Sequence, residues 1–186
     1  MEVLLVILGI IVVLAFVIIG IYNRLVALRQ TCNQAWSDIE VQLKQRQDLV
    51  PQLVNTVKGY AEHEKTTFEE VIKARQMAVN AGSVQGQAAA EGMLTQALGK
   101  LFALAEAYPD LKANQNFLQL QDQLADVENK IAASRRFYNN AVGEYNTGIE
   151  QFPANLIAGP FNFVPRDFFE APEGREALQT PVEVEF

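Results

Sequence analysis

Val3–Tyr22 reads VLLVILGIIVVLAFVIIGIY, an uncharged run in which sixteen of the twenty side chains are Leu, Ile, Val or Phe. As a helix it is about 30 Å long, the thickness of a bilayer's hydrocarbon core. At a few tenths of a kcal/mol per residue, its insertion is favourable by on the order of 5–10 kcal/mol. A buried helix of a soluble protein usually keeps a polar face, and this run has none. A cleaved signal peptide needs a basic n-region and a small-residue cleavage site. Here only Glu2 lies between Met1 and the run, and no A-x-A follows it. The segment therefore reads as a permanent anchor, with Val3, Leu14 and Ile21 in the lipid. Tyr22 closes it, where an amphipathic ring suits the headgroup layer. Arg24 and Arg29 follow the run. The positive-inside rule then puts residues 23–186 in the cytoplasm and the N-terminus outside.

The remainder has room for one domain of ordinary size. The chain carries 15 Lys+Arg against 22 Asp+Glu, a net charge of −7, and Arg135-Arg136 is its nearest approach to a basic cluster. Nucleic acid binding thus lacks its electrostatic footprint. The single cysteine, Cys32, excludes an intramolecular disulfide and any cysteine-based metal site. It lies on an apolar stripe, which suits a small buried hydrophobe better than a reactive thiol.

That stripe continues straight out of the anchor. Leu25, Leu28, Cys32, Ala35, Ile39 and Leu43 recur at helical spacing, with Trp36 beside them. Pro51 interrupts it, and Asp48 is placed to cap a new helix with Pro51 in its first turn. A sharp turn near 46–50 is the expectation; one long kinked helix is its rival. The next helix, to about Asn80, has a heptad seam of Val50, Val54, Val57, Ala61, Glu64, Phe68, Val71, Arg75 and Ala78. Ala81-Gly82-Ser83 ends it. An Ala- and Gln-rich helix from Val84 to Ala107 carries the stripe Leu94, Leu98, Leu101, Leu104/Ala105 and Tyr108. Its alanines at 88–90 are read as supplying helix propensity rather than close approach. Pro109 stops it and Asp110 is placed to cap the last helix, Leu111 to about Gln151.

The seam of that helix is Phe117, Leu120, Leu124, Val127, Ile131, Ser134, Tyr138, Ala141 and Tyr145, continuing to Ile149 and Phe152. Short connections make neighbours antiparallel. The expected fold is all-α: an anchor over 1–22, an antiparallel four-helix bundle with heptad-type packing over 23–152, and an irregular Pro/Phe-rich tail over 153–186. The tail holds Phe161, Phe163, Phe168, Phe169 and Phe186 among recurrent prolines, and its aromatics are expected to pack on its own bundle, with a lipid or partner contact as the alternative.

No catalytic constellation emerges. A di-iron bundle needs Glu-x-x-His on two helices, whereas the chain has one histidine, His63. There is no G-x-S-x-G, P-loop or G-x-G-x-x-G. The expectation is no enzyme and no cofactor. Glu64, Arg75, Glu128 and Arg135 lie on or beside the seams and are the candidate interhelical polar contacts.

Several stretches together resemble the LemA family of bacterial membrane-anchored proteins. They are Tyr22-Asn23-x-Leu25-Val26-x-Leu28-Arg29, Trp36-x-x-Ile39-x-x-x-Leu43 and Arg46-x-Asp48-Leu49-Val50-Pro51-x-Leu53-Val54. Lys58-Gly59-Tyr60-Ala61-x-His63-Glu64, Ala74-Arg75 and Glu106-x-Tyr108-Pro109-Asp110-Leu111-Lys112-Ala113 continue the match. Glu128-x-x-Ile131-Ala132-x-x-Arg135 and Tyr138-Asn139-x-x-Val142-x-x-Tyr145-Asn146 complete it, ending at Phe152-Pro153. The resemblance implies a helical bundle on a single span in the bacterial inner membrane, with no established enzymatic activity or cofactor. Relatives of that family take part in magnetosome membrane formation, and members are often encoded near membrane proteases. The implied role is a scaffold that self-associates or organises membrane-protein partners, with a regulatory adaptor as the alternative.

Overall fold

The computed structural model describes residues 1–170, and among these every regular element is helical. The helices are α1 (Glu2–Lys58), α2 (Lys65–Val79), α3 (Val84–Ala105), α4 (Pro109–Lys112), α5 (Gln115–Glu150) and α6 (Asn155–Ala158). The expectations for Pro172, Pro181 and Phe186 lie outside the described residues.

α1 is one helix of 57 residues and passes through Pro51 without a break. The expected turn at 46–50 is therefore corrected, and Asp48 is no cap: it pairs with Lys44 one turn back at 2.5 Å. A proline in mid-helix leaves the carbonyl four residues earlier without its amide donor. That carbonyl belongs to Gln47, and the Nε–H of Arg75 donates to it at 2.7 Å. A side chain from α2 thus replaces the missing backbone bond. α1 ends instead at Lys58-Gly59, where glycine's low helix propensity favours termination. Residues 59–64 turn the chain into α2. The expected seam still buries Val50, Val54, Val57, Ala61, Phe68, Val71 and Ala78, on two helices and the turn between them rather than on one helix.

The chain forms two compact units. The first comprises Met1–Ser37 and Arg136–Asp167. The apolar run of α1 is exposed from Val3 to Gly20, and the 18-residue apolar window in this helix has none of its residues buried. By length and apolarity it suffices to cross a membrane. Beyond it, Leu25, Cys32 and Ala35 of α1 are buried, as are Tyr138, Ala141, Val142, Tyr145 and Ile149 of α5. The Cys32 thiol donates to the Ala141 carbonyl at 3.2 Å, and burial raises its pKa, so it behaves as a core side chain. Gly148 lies so close to α1 that a β-carbon there would stand 2.8 Å from the Leu28 Cδ1.

After α6 the chain doubles back along α5. The Tyr145 hydroxyl donates to the Val164 carbonyl and the Tyr138 hydroxyl to the Asp167 carbonyl, both at 3.0 Å. Burial pushes both phenols upward in pKa, which keeps them protonated as donors. The Asn146 amide closes a two-way pair with the Arg166 backbone, accepting from its N–H and donating to its carbonyl, each at 2.9 Å.

The second unit comprises, among the described residues, Asp38–Arg135 and Phe168–Glu170. Its core draws Val50–Val57 from α1, Phe68–Ala78 from α2, Ala90–Ala105 from α3, Leu111 from α4 and Phe117–Leu124 from α5. Ser83 caps α3 by accepting from the Gly86 N–H at 3.0 Å. α4 starts with Pro109 in its first turn, and the cap of α5 is Asn114 rather than Asp110, its Oδ1 accepting from the Phe117 N–H at 3.1 Å. Ala88 and Ala90 are buried, so these small side chains do admit close packing, contrary to the propensity reading. Within each unit a tail aromatic is buried, Phe163 in the first and Phe169 in the second, while Phe152 at the end of the α5 seam is 80 % exposed.

Candidate functional site

The second unit buries a polar cluster in a core that is otherwise apolar. Arg46 and Gln47 of α1 and Gln87 and Glu91 of α3 are all less than a tenth exposed. Arg46 occupies the position where the apolar stripe of Leu43 and Val50 calls for a hydrophobe. Glu91 stands likewise three residues before Leu94 on the stripe of α3. Both are brought inside by the helical period that buries their neighbours.

Inside, both oxygens of the carboxylate are hydrogen-bonded, by three donors between them. Glu91 Oε1 accepts from the amides of Gln47 at 3.1 Å and Gln87 at 3.0 Å, and Oε2 accepts from Arg46 Nη1 at 3.2 Å. Arg46 Nη2 donates to the Thr95 hydroxyl at 2.7 Å, and that hydroxyl donates in turn to the Glu91 backbone carbonyl at 3.0 Å. Gln87 also donates to the Ala78 carbonyl at 3.1 Å, one of the last acceptors of α2, which has no partner within its own helix. Satisfaction on this scale is what a buried charge requires, because removing it from water costs several kcal/mol. Burial nevertheless dominates and raises the Glu91 pKa, with the Arg46 guanidinium and the two amides pulling it back down.

Three of the four candidate contacts read from the sequence surround this cluster. Glu128 of α5 lies 3.4 Å from Arg46 Nη1 and remains half exposed. Arg75 holds the Gln47 carbonyl. Arg135 lines a small cavity with Arg46, Glu91 and Glu128, and its guanidinium lies 5.2 Å from the centre of the Phe169 ring. Glu64 is not brought to the cluster; it occupies the position before α2 and makes no capping bond with its side chain. Arg46, Gln47, Gln87 and Glu91 are the residues missed, although charge on an apolar stripe was a legible signal.

A larger cavity of about 360 Å³ opens beside the Arg46–Glu128 pair, lined by Leu98, Gly99, Phe102, Leu124 and Ala125 with Thr95 and Gln121. Among the described residues no group of three or more His, Cys, Asp or Glu is placed to hold a metal ion. The cluster's charged groups are bonded to one another and to the helices around them, tying α1 to α3.

Residues 35–186 match the model of the LemA family. The chain is 27 % identical to "Magnetosome protein MamQ 2" of Paramagnetospirillum magneticum, over 86 % of this chain and 69 % of that protein. It is 26 % identical to "Magnetosome protein MamQ" of Magnetospirillum gryphiswaldense over the same shares. To "Protein LemA" of Metamycoplasma hominis it is 26 % identical, over 85 % of this chain and 73 % of that protein. With four-fifths of its length on the family model, the chain belongs to the LemA family.

Proposed function

We propose that this chain is a non-enzymatic, membrane-anchored helical scaffold that assembles with itself or organises membrane-protein partners. The observation that carries the proposal is α1. One helix holds a lipid-length run of exposed apolar side chains and then supplies buried residues to a helical core. In this reading residues 23–152 act as an antiparallel four-helix bundle with heptad-type seams, followed by a Pro/Phe-rich tail. Arg24 and Arg29 favour a cytoplasmic bundle and an outside N-terminus, in a bacterial inner membrane. Two of the relatives bear the name of a magnetosome protein, which suits a role in organising a membrane. The buried charges support a non-catalytic role, since they close on each other.

The test is the particle mass of the full chain in lipid nanodiscs across a range of protein concentrations. Multimers that persist on dilution support self-assembly; a monomer at every concentration, with no membrane partner co-purifying, overturns the proposal.

A second reading, a regulatory adaptor for a membrane protein such as a protease, is favoured by the half-exposed Glu128, paired with the buried Arg46 beside a cavity. Glu128→Gln distinguishes the two. A folded variant that still assembles but no longer alters its partner's activity supports the adaptor.

A further inference from the structure

Residues 151–165 contain no charged side chain, lying between Glu150 and Arg166. Within this stretch Phe152 is 80 % exposed, Leu156 65 %, Val164 59 % and Phe161 50 %. Four large apolar side chains exposed on one short segment of a folded protein mark an interaction surface. The segment is held at both ends. It leaves α5 at Glu150, and at its far end the Tyr145 hydroxyl and the Asn146 amide fix the backbone of Val164 and Arg166. Its aromatic residues are thus presented by a fixed frame.

What covers this surface follows from its position beside the anchor. Tyr22, the last residue of the apolar run, makes edge contacts with Phe161 at 5.1 Å and Phe163 at 5.6 Å between ring centres. The register of α1 and α5 agrees independently. Cys32 meets Ala141, and Leu25 and Leu28 meet Gly148, so α5 runs toward the apolar run as its numbering increases. α5 ends two residues beyond Gly148, about 3 Å further along, so the segment that follows begins close to the end of the run. The exposed residues lie where the run ends.

We propose that residues 151–165 form an interfacial loop that enters the headgroup–acyl boundary of the bilayer holding the chain's own anchor. Phe152, Leu156 and Phe161 are its lipid contacts. Aromatic and aliphatic side chains on an uncharged segment partition to that boundary, and the absence of lysine and arginine makes the contact independent of anionic lipid. The loop gives the first unit a second attachment to the membrane beside its span. The proposal rests on α1 being the anchor.

The test uses the full chain in phosphatidylcholine vesicles with single added cysteines carrying a polarity-sensitive dye. Leu156→Cys reports the loop, Leu14→Cys the span and Gln119→Cys an exposed position on α5; Cys32 is fully buried, and the unsubstituted chain serves as the blank. Leu156 is mostly exposed, so its replacement leaves the core intact. Phe161→Cys repeats the measurement should that variant misfold. The expected result is blue-shifted emission from position 156 that is quenched by lipids bearing a nitroxide near the headgroup. Emission like that of position 119, with position 14 still quenched by lipid, overturns the loop and leaves the anchor standing. Blue-shifted emission that lipid nitroxides do not quench assigns the surface to protein, a second copy included, and also overturns it. A position 14 left unquenched by lipids bearing the nitroxide deep in the acyl chain refutes the anchor itself, and the loop with it.

Discussion

Arg46 and Glu91 are each tolerable inside the protein only because the other is there. Removing one partner of a buried ion pair costs about 3–5 kcal/mol, whereas replacing both by apolar groups can be nearly neutral. Arg46→Met is therefore expected to be strongly destabilising, and the double variant with Glu91→Leu to recover much of the loss, as read by thermal unfolding in detergent. Glu91 also sets a pH dependence whose sign is fixed by its raised pKa. Between the ordinary glutamate value and the raised one, the native state keeps a proton that the unfolded chain has lost. Stability must then fall as pH rises through that window and level off above it. Glu91→Gln should flatten that segment of the stability curve; an unchanged slope would show that another group titrates there. Neither residue was selected from the sequence. Each is a charge on an apolar stripe, and only the meeting of two segments, Arg46-Gln47 of α1 and the Gln87, Glu91 and Thr95 face of α3, makes that position habitable.

Among the elements, α1 depends on a contact outside itself. The Gln47 carbonyl loses its helical donor to Pro51 and regains one from Arg75. Arg75→Met should cost about 1–3 kcal/mol, the penalty for a buried acceptor left unmet. In a Pro51→Ala background, which restores the backbone amide, the same change should cost clearly less. Equal costs in a double-mutant cycle of unfolding free energies would refute the substitution of one donor for the other. The α1–α5 contact rests on Gly148. A Leu there meets Leu28 and should destabilise by about 1–3 kcal/mol, an overpacking cost, and Leu28→Ala should relieve part of it. The apolar periodicity that exposed these helices in the sequence could not expose their ends. The seam stays in phase from Val57 through Ala61 to Phe68, so the turn at 59–64 is silent in the hydrophobic pattern and signalled only by Gly59. Pro51 misled for the opposite reason: its local rule is sound, and a tertiary hydrogen bond overrides it.

At the scale of the whole molecule, the exposed apolar run of α1 was the most legible part, because bilayer thickness imposes a length and an apolarity that few other segments meet. The buried faces of α2, α3 and α5 were legible from period alone. The return of residues 163–167 along α5 was not, since it depends on side-chain bonds to backbone from Tyr138, Tyr145 and Asn146 that no local pattern encodes. A scaffold on such an anchor must meet other proteins in the membrane where it resides. The most direct measurement is photo-crosslinking in intact cells at native expression, with a photoactivatable residue placed in turn at the exposed positions Met93 and Leu118 and at Leu14 in the anchor. A scaffold predicts discrete covalent species from the bundle positions, containing a second copy or one recurring membrane protein, alongside lipid adducts from Leu14. Monomer alone from Met93 and Leu118, with lipid adducts still formed at Leu14, would contradict it.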